Sequence, residues 1–171
     1  MTSSTGARGR IRQLWEALTA RVSAEEEALA RRLLPPAEHA LFARMPLRDR
    51  RHCLDVYHTL AGAGVDDPLV LRGALFHDTG KVDPRGRPVP LAWYVACVLL
   101  KRLAPRAYAL LAASPRGFRR PIHYYAHHAA LGAELALAAG APPELAEMLR
   151  HYHDDQPAGR AAMLQWADLQ H

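Results

Sequence analysis

The chain has 171 residues, 22 of them basic and 17 acidic, for a net charge of +5 with histidine neutral, and half its residues are apolar. That length suits one domain with a full core, and two cysteines are too few for a disulfide framework. Residues 1–10 are polar, glycine-containing and basic, without the apolar stretch of a secretory leader, so a reducing cytoplasm is the expected compartment.

Residues 1–10 read as a flexible tail ahead of a single domain over 11–171. Ile11, Leu14, Trp15, Leu18 and Val22 recur at helical spacing and predict a first helix. Ser23, with Glu26 three residues later, carries the capping-box signature of a second helix, which runs to Leu34 and ends at Pro35-Pro36. A short helix over 37–44 precedes Pro46. The next, over 47–63, stops near Gly62 or Gly64 and continues the face of His52 through Val56, Thr59 and Ala63. Asp67-Pro68 supplies an N-cap and a first helical residue for the apolar run that leads to His77-Asp78-Thr79-Gly80-Lys81. With Gly80 as the C-terminal stop, His77 and Asp78 are expected in the last turn of a short buried helix.

Segment 81–120 carries nine basic residues against one acid, Asp83, a net of +8, whereas the rest of the chain nets −3. It joins two helices that bear candidate ligands, so it reads as a basic insertion or lid at the mouth of a site, where it would attract a phosphorylated substrate. Arginines on a solvated face are the bland alternative. Within it the uncharged run 89–100, with Trp93 and Tyr94, is too short to span a bilayer, which takes roughly 18 to 20 residues, and reads as a buried helix. An interfacial helix setting Trp93 and Tyr94 with Lys101, Arg102 and Arg106 against anionic lipid, a dimer surface and a pocket wall are the lesser readings.

Farther along, His128 shares a stripe with Leu131, Gly132 and Leu135, leaving His127 at its edge and His123 nearly opposite. Asp168 lies in a final helix one turn after Leu164. Valine and isoleucine are too scarce for an alternating strand, so the expected fold is all-α, with about eight to ten helices. Cys53 and Cys97 read as small buried hydrophobes.

An imidazole and a carboxylate at adjacent positions near a helix end can hold one divalent ion together or bridge two. His52, His77, Asp78 and Asp168 form a two-histidine, two-carboxylate set with room for water and substrate oxygen. An ion held there lowers the pKa of its water and offsets charge developing on a phosphoryl group. His58 falls on another helix face and reads as structural or exposed. The chain has 20 arginines and two lysines, yet Lys81 directly follows the motif, where its ammonium suits a phosphate contact. Asp78 and Lys81 are therefore the candidate catalytic residues. The mixed nitrogen and oxygen donors suit Mn, Fe, Co, Ni or Zn better than Mg.

These residues, in this order, resemble the HD superfamily of metal-dependent phosphohydrolases: a lone His, a His-Asp pair and a distant Asp, all on helices. The resemblance covers about 48–168. Leu75-Phe76-His77-Asp78-Thr79-Gly80-Lys81 is similar to the family's apolar, His-Asp, x-Gly-Lys core, and Trp166-Ala167-Asp168 to its closing Ala-Asp. The segments at His128 and His151-Tyr152-His153-Asp154 resemble the two extra histidine segments of members that bind a second metal, which implies a second ion on His128 and His153 with Asp78 bridging, or on His151 in place of His153, because the two stand two apart and only one should face the site. The Gly-Tyr-Pro signature of the branch that cleaves cyclic dinucleotides is absent, so that activity does not carry over.

The resemblance implies an HD-type helical bundle that hydrolyses a phosphomonoester or phosphodiester, a nucleotide first among them, using one or two divalent ions. A di-iron oxygenase cleaving C–C or C–P bonds follows from the same resemblance. A non-catalytic, metal-stabilised module whose basic segment binds nucleic acid or an acidic partner is the non-enzymatic alternative. A small phosphorylated substrate is the leading partner. Nucleic acid stands lower because the basic residues are not interleaved with regular aromatics, membrane-surface contact is also a lesser reading, and the oligomeric state is open.

Overall fold

Prolines and capping side chains set most of the helix starts. In the structure, a computed structural model describing residues 21–171, the tail 1–10 and most of the helix expected over 11–22 lie outside the described residues. Helix α1 (Ala24–Leu33) opens on a complete capping box, in which Ser23 Oγ accepts the Glu26 amide at 3.2 Å and the Glu26 carboxylate accepts the Ser23 amide at 3.0 Å. Helices α2 (Pro36–Ala43), α3 (Leu47–Gly62) and α4 (Pro68–Phe76) follow. Asp67 caps α4 through the Leu69 amide at 2.9 Å, with Pro68 at the first helical position. Gly64, at φ +81°, ends α3 as its left-handed C-terminal residue. A 3₁₀ turn (Thr79–Lys81) leads through a loop to α5 (Leu91–Leu103) and α6 (Pro105–Ala112). A second 3₁₀ turn (Gly117–Arg119) precedes α7 (Arg120–Ala138), α8 (Pro143–His151) and α9 (Gly159–Asp168).

Nine α-helices and no strand ladder occur among the described residues, so the fold is all-α, as composition predicts. None of these helices is long and apolar enough to cross a membrane.

The main core gathers α3, α4, α7, α8 and α9 around fully buried Val56, Phe76, Leu145, Leu149, Tyr152 and Leu164. A second cluster joins α1 and α2 to α3 through Phe42, Cys53 and Leu54. Between α2 and α4, Glu38 is fully buried and paired with Arg72. The third and smallest cluster packs α5 and α6 on α7 around Cys97, Ala112 and Ile122. Both cysteines are buried thiols, in keeping with their reading as small hydrophobes.

Two local expectations change. Helix α4 ends at Phe76, with His77 as its cap and Asp78 in the turn beyond. Gly80 is not in the left-handed region. Its role is close approach: a Cβ there would stand 2.7 Å from the Gly132 amide nitrogen and closer still to the His128 carbonyl oxygen. The backbone of the 3₁₀ turn thus lies directly on α7, against the one glycine of that helix, Gly132.

Helix α5 is not the buried helix expected from its uncharged run. Only Cys97 is fully enclosed, while Val95, Val98, Leu99 and Leu103 are exposed. The cause is topological. Helices α5 and α6 form a hairpin laid on one side of α7, and no other described element covers its outer face.

Candidate metal centre

Five stretches of chain converge at one end of the main core. Helix α3 brings His52 and, one turn earlier, Asp49. The end of α4 and its turn bring His77, Asp78 and Lys81. Helix α7 brings His128, the turn after α8 brings Tyr152 and His153, and the last residue of α9 is Asp168.

His52 Nε2 lies 2.9 Å from Asp168 Oδ1. His77 Nε2 lies 3.6 Å from Asp168 Oδ1 and 3.6 Å from Asp78 Oδ1. Asp78 Oδ1 lies 3.7 Å from His128 Nε2, which is 3.1 Å from His153 Nε2. The structure therefore brings together all six of the metal ligands proposed from sequence. Five other histidines are engaged elsewhere: His151 pairs with Asp154 on the surface, His58 meets Glu26, His39 meets Glu27, and His123 and His127 both contact the Ala112 carbonyl on the α6 side, while His171 packs its ring against His52 at 6.3 Å.

One atom tests whether an ion fits. His77 is buried, and its Nδ1 donates to the Ala74 carbonyl at 2.8 Å, which leaves Nε2 to face the carboxylates. Buried Nε2 has no hydrogen-bond partner, because both carboxylate oxygens stop beyond hydrogen-bond range. Such an atom is costly unless something else satisfies it. Ligand bonds of about 2.0–2.2 Å place neighbouring donors roughly 3–3.7 Å apart, the spacing seen here. His128 is held in the same way on one side, Nδ1 donating to the Tyr125 carbonyl at 2.8 Å, but its Nε2 lone pair already meets the Tyr152 hydroxyl at 2.9 Å, a contact that an ion would have to displace. His52, His77 and Asp168 offer ligand atoms all within 4.8 Å of one another, as do Cys53, His77 and Asp78. Cys53 approaches His77 from the Nδ1 side, at 3.8 Å, where the backbone carbonyl already holds that nitrogen, so the thiol packs behind the ring. These buried groups can hold a metal ion.

Electrostatics favour a charged centre. Burial opposes ionisation of Asp78, but Lys81 and His77 outweigh it and hold the carboxyl well below the usual range. At Asp168 the contacts from His52 and His77 likewise overcome burial. Burial also opposes protonation of His77, yet Cys53 and then the Asp78 and Asp168 carboxylates raise its pKa. Burial, with the Lys81 charge behind it, pushes His128 down to about 3 and keeps it neutral, the form that binds metal. His153 is lowered too, first by burial.

Lys81 lies inside the site. Its Nζ sits 2.7 Å from Asp78 Oδ2, with the Tyr94 and Tyr125 ring centroids 5.1 and 5.9 Å away. Burial disfavours the ammonium, but Asp78 more than compensates and raises its pKa. Of the basic segment, Lys81 alone contacts the ligand set. Arg87 and Arg120 are paired with Asp83.

Sequence reasoning missed Asp49, Tyr94, Tyr125 and Tyr152. Buried Asp49 accepts the Tyr94 hydroxyl at 3.0 Å on both oxygens and meets Arg48 at 3.3 Å. Its place one turn before His52 is a signal that helical spacing carried. Tyr94 was hidden in an apolar run, and Tyr152 between two more conspicuous histidines.

Compared with family models, with curated proteins and with solved structures, the chain matches none.

Proposed function

We propose that this chain is a metal-dependent phosphohydrolase of the HD type, acting on a small phosphomonoester or phosphodiester such as a nucleotide. The observation that carries the reading is the orphaned, buried His77 Nε2 between the carboxylates of Asp78 and Asp168. His52, His77, Asp78 and Asp168 would hold one divalent ion. His128 and His153, across Asp78 Oδ1, would hold a second. The donor set favours Mn, Fe, Co, Ni or Zn over Mg. When bound, such an ion supplies Lewis acidity, easing deprotonation of water and offsetting phosphoryl charge.

The chain's own groups complete the chemistry. The tyrosine rings and Asp78 fix the Lys81 ammonium beside the ligand set, where phosphate oxygens would meet a permanent positive charge. The Tyr125 carbonyl orients the His128 ring through Nδ1, and the Tyr152 hydroxyl, 2.9 Å from His128 Nε2, would give up that contact when an ion takes the lone pair. Burial of Asp78, His77 and His128 excludes bulk water and strengthens each of these interactions.

The test is metal content of protein purified without chelator or affinity-tag metal, beside Asp78→Ala and His128→Ala, with each preparation screened for phosphatase and phosphodiesterase turnover. Two equivalents in the wild type, both lost in Asp78→Ala and one in His128→Ala, with turnover falling in step, is the expected result. Iron without hydrolysis would instead favour the oxygenase. No metal in any preparation would overturn the reading.

A further inference from the structure

The outer side of the α5–α6 hairpin carries chemistry that the metal centre does not use. Val95, Val98, Leu99 and Leu103 fall on one arc of α5 and are 54, 48, 45 and 77 % exposed. Cys97, on the opposite side, is fully buried. Helix α6 adds Leu110, 72 % exposed. Apolar residues on a water-facing helix side are a docking surface when they are contiguous.

The charges within this surface identify what covers it. Arg102 projects from the middle of the α5 arc, and Lys101 flanks it. Both are exposed, and neither has an acidic partner among the described residues. The chain has no acidic residue between Asp83 and Glu134. A two-fold contact with a second copy would set the same cations against one another and strip their water. The N-terminal residues 1–20 hold three arginines and one glutamate, so they carry the same sign of charge. A surface of phospholipid phosphates fits both features. Apolar side chains enter the acyl boundary, while long basic side chains extend to the headgroups.

We propose that the outer face of α5 docks on an anionic lipid surface, with Val95, Val98, Leu99 and Leu103 inserted and Lys101 and Arg102 on the headgroups. The helix lies in the interface, since it is too short to span. This inference is independent of the hydrolase reading, because docking requires no ion in the metal centre.

The experiment is flotation of the full chain with vesicles of phosphatidylcholine alone and with roughly a third phosphatidylglycerol. Recovery about tenfold higher or more with the anionic vesicles, reduced by salt, is expected. Val95→Asp/Leu99→Asp and Lys101→Glu/Arg102→Glu should each abolish that recovery. Unchanged helical circular dichroism and metal content in these variants separate lost docking from lost folding. Absence of recovery on anionic vesicles overturns the proposal, as does recovery that survives Val95→Asp/Leu99→Asp. A dimer in light scattering that this variant dissociates, without vesicle binding, overturns it in favour of a second copy. Binding only to an acidic protein overturns it as well.

Discussion

Gly80 and His128 are in backbone contact: the space a side chain would need at Gly80 is filled by the carbonyl of His128. That contact locks the turn carrying Asp78 and Lys81 to the helix carrying His128. Gly80→Ala must push backbone from backbone and is expected to cost about 1–3 kcal/mol and to weaken metal retention. Gly132→Ala is the contrasting case, because its Cβ would meet Thr79 Oγ1 at 3.5 Å, ordinary contact. In a helix interior that change is expected to be neutral or to stabilise by up to about 1 kcal/mol. Urea unfolding of the two variants checks both; equal losses would show that Gly80 is not the tighter position.

Tyr94→Phe removes the hydroxyl that donates to both oxygens of buried Asp49. Burial, and then the Asp78 charge, raise the Asp49 pKa against the opposing charges of Lys81 and Arg48, so loss of the hydroxyl leaves a buried carboxyl with one fewer donor. A loss of about 1–2 kcal/mol is expected, with helix content and metal stoichiometry kept. Thermal or urea unfolding alongside metal analysis measures both.

Arg72→Ala leaves the Glu38 carboxylate buried without its partner, and a loss of about 3–5 kcal/mol is expected. The double change Glu38→Gln/Arg72→Met should be milder, since no isolated charge remains. A double variant as unstable as Arg72→Ala would show that packing, not charge, sets the cost.

Asp83 gives the pH dependence. Burial opposes its charge, but the Arg87 amide and the Arg87 and Arg120 side chains outweigh it and hold the carboxyl below its ordinary value. The folded pKa is therefore below the unfolded one, near 3.9. Its stabilisation is complete above that unfolded value and is lost as pH falls through the folded one. Asp83→Asn should be about 2 kcal/mol less stable than wild type at neutral pH. The gap should narrow in unfolding series taken below about pH 4. A constant gap would assign the loss to geometry rather than charge.

Chelation tests the centre without relying on turnover. Stripping an ion that binds only the folded chain should lower the melting temperature by about 5–10 °C. His77→Gln should be almost insensitive to chelator. A wild-type melting temperature that chelator does not move would count against a tightly held ion.

Local chemistry was the legible part of the sequence. The Ser23 box, the Asp67 cap and the prolines mark helix starts through contacts a few residues long, so the starts of α1 and α4 are predicted well. The placement of His52, His77, Asp78, His128, His153 and Asp168 was also accessible, because helical spacing and the resemblance to a known ligand order lead to the same residues. What failed depended on neighbours distant in the chain. The surroundings of α5 are set by which helices lie against it, and an uncharged run has the same appearance whether covered or bare. Gly80 is a glycine because α7 lies against it, and Asp49 matters because Tyr94, 45 positions later, reaches it.

The pair His52 and Asp168 spans 116 positions along the chain. Closing a loop that long carries a large entropic barrier before any contact rewards it, and distant pairings of this kind slow folding. Short-range helices such as α4 can form early, whereas the centre assembles only when α9 docks on α3. In refolding, acquisition of metal should therefore follow the rise of helical signal, and the trapped ion would act as a late clasp that slows unfolding more than it speeds folding.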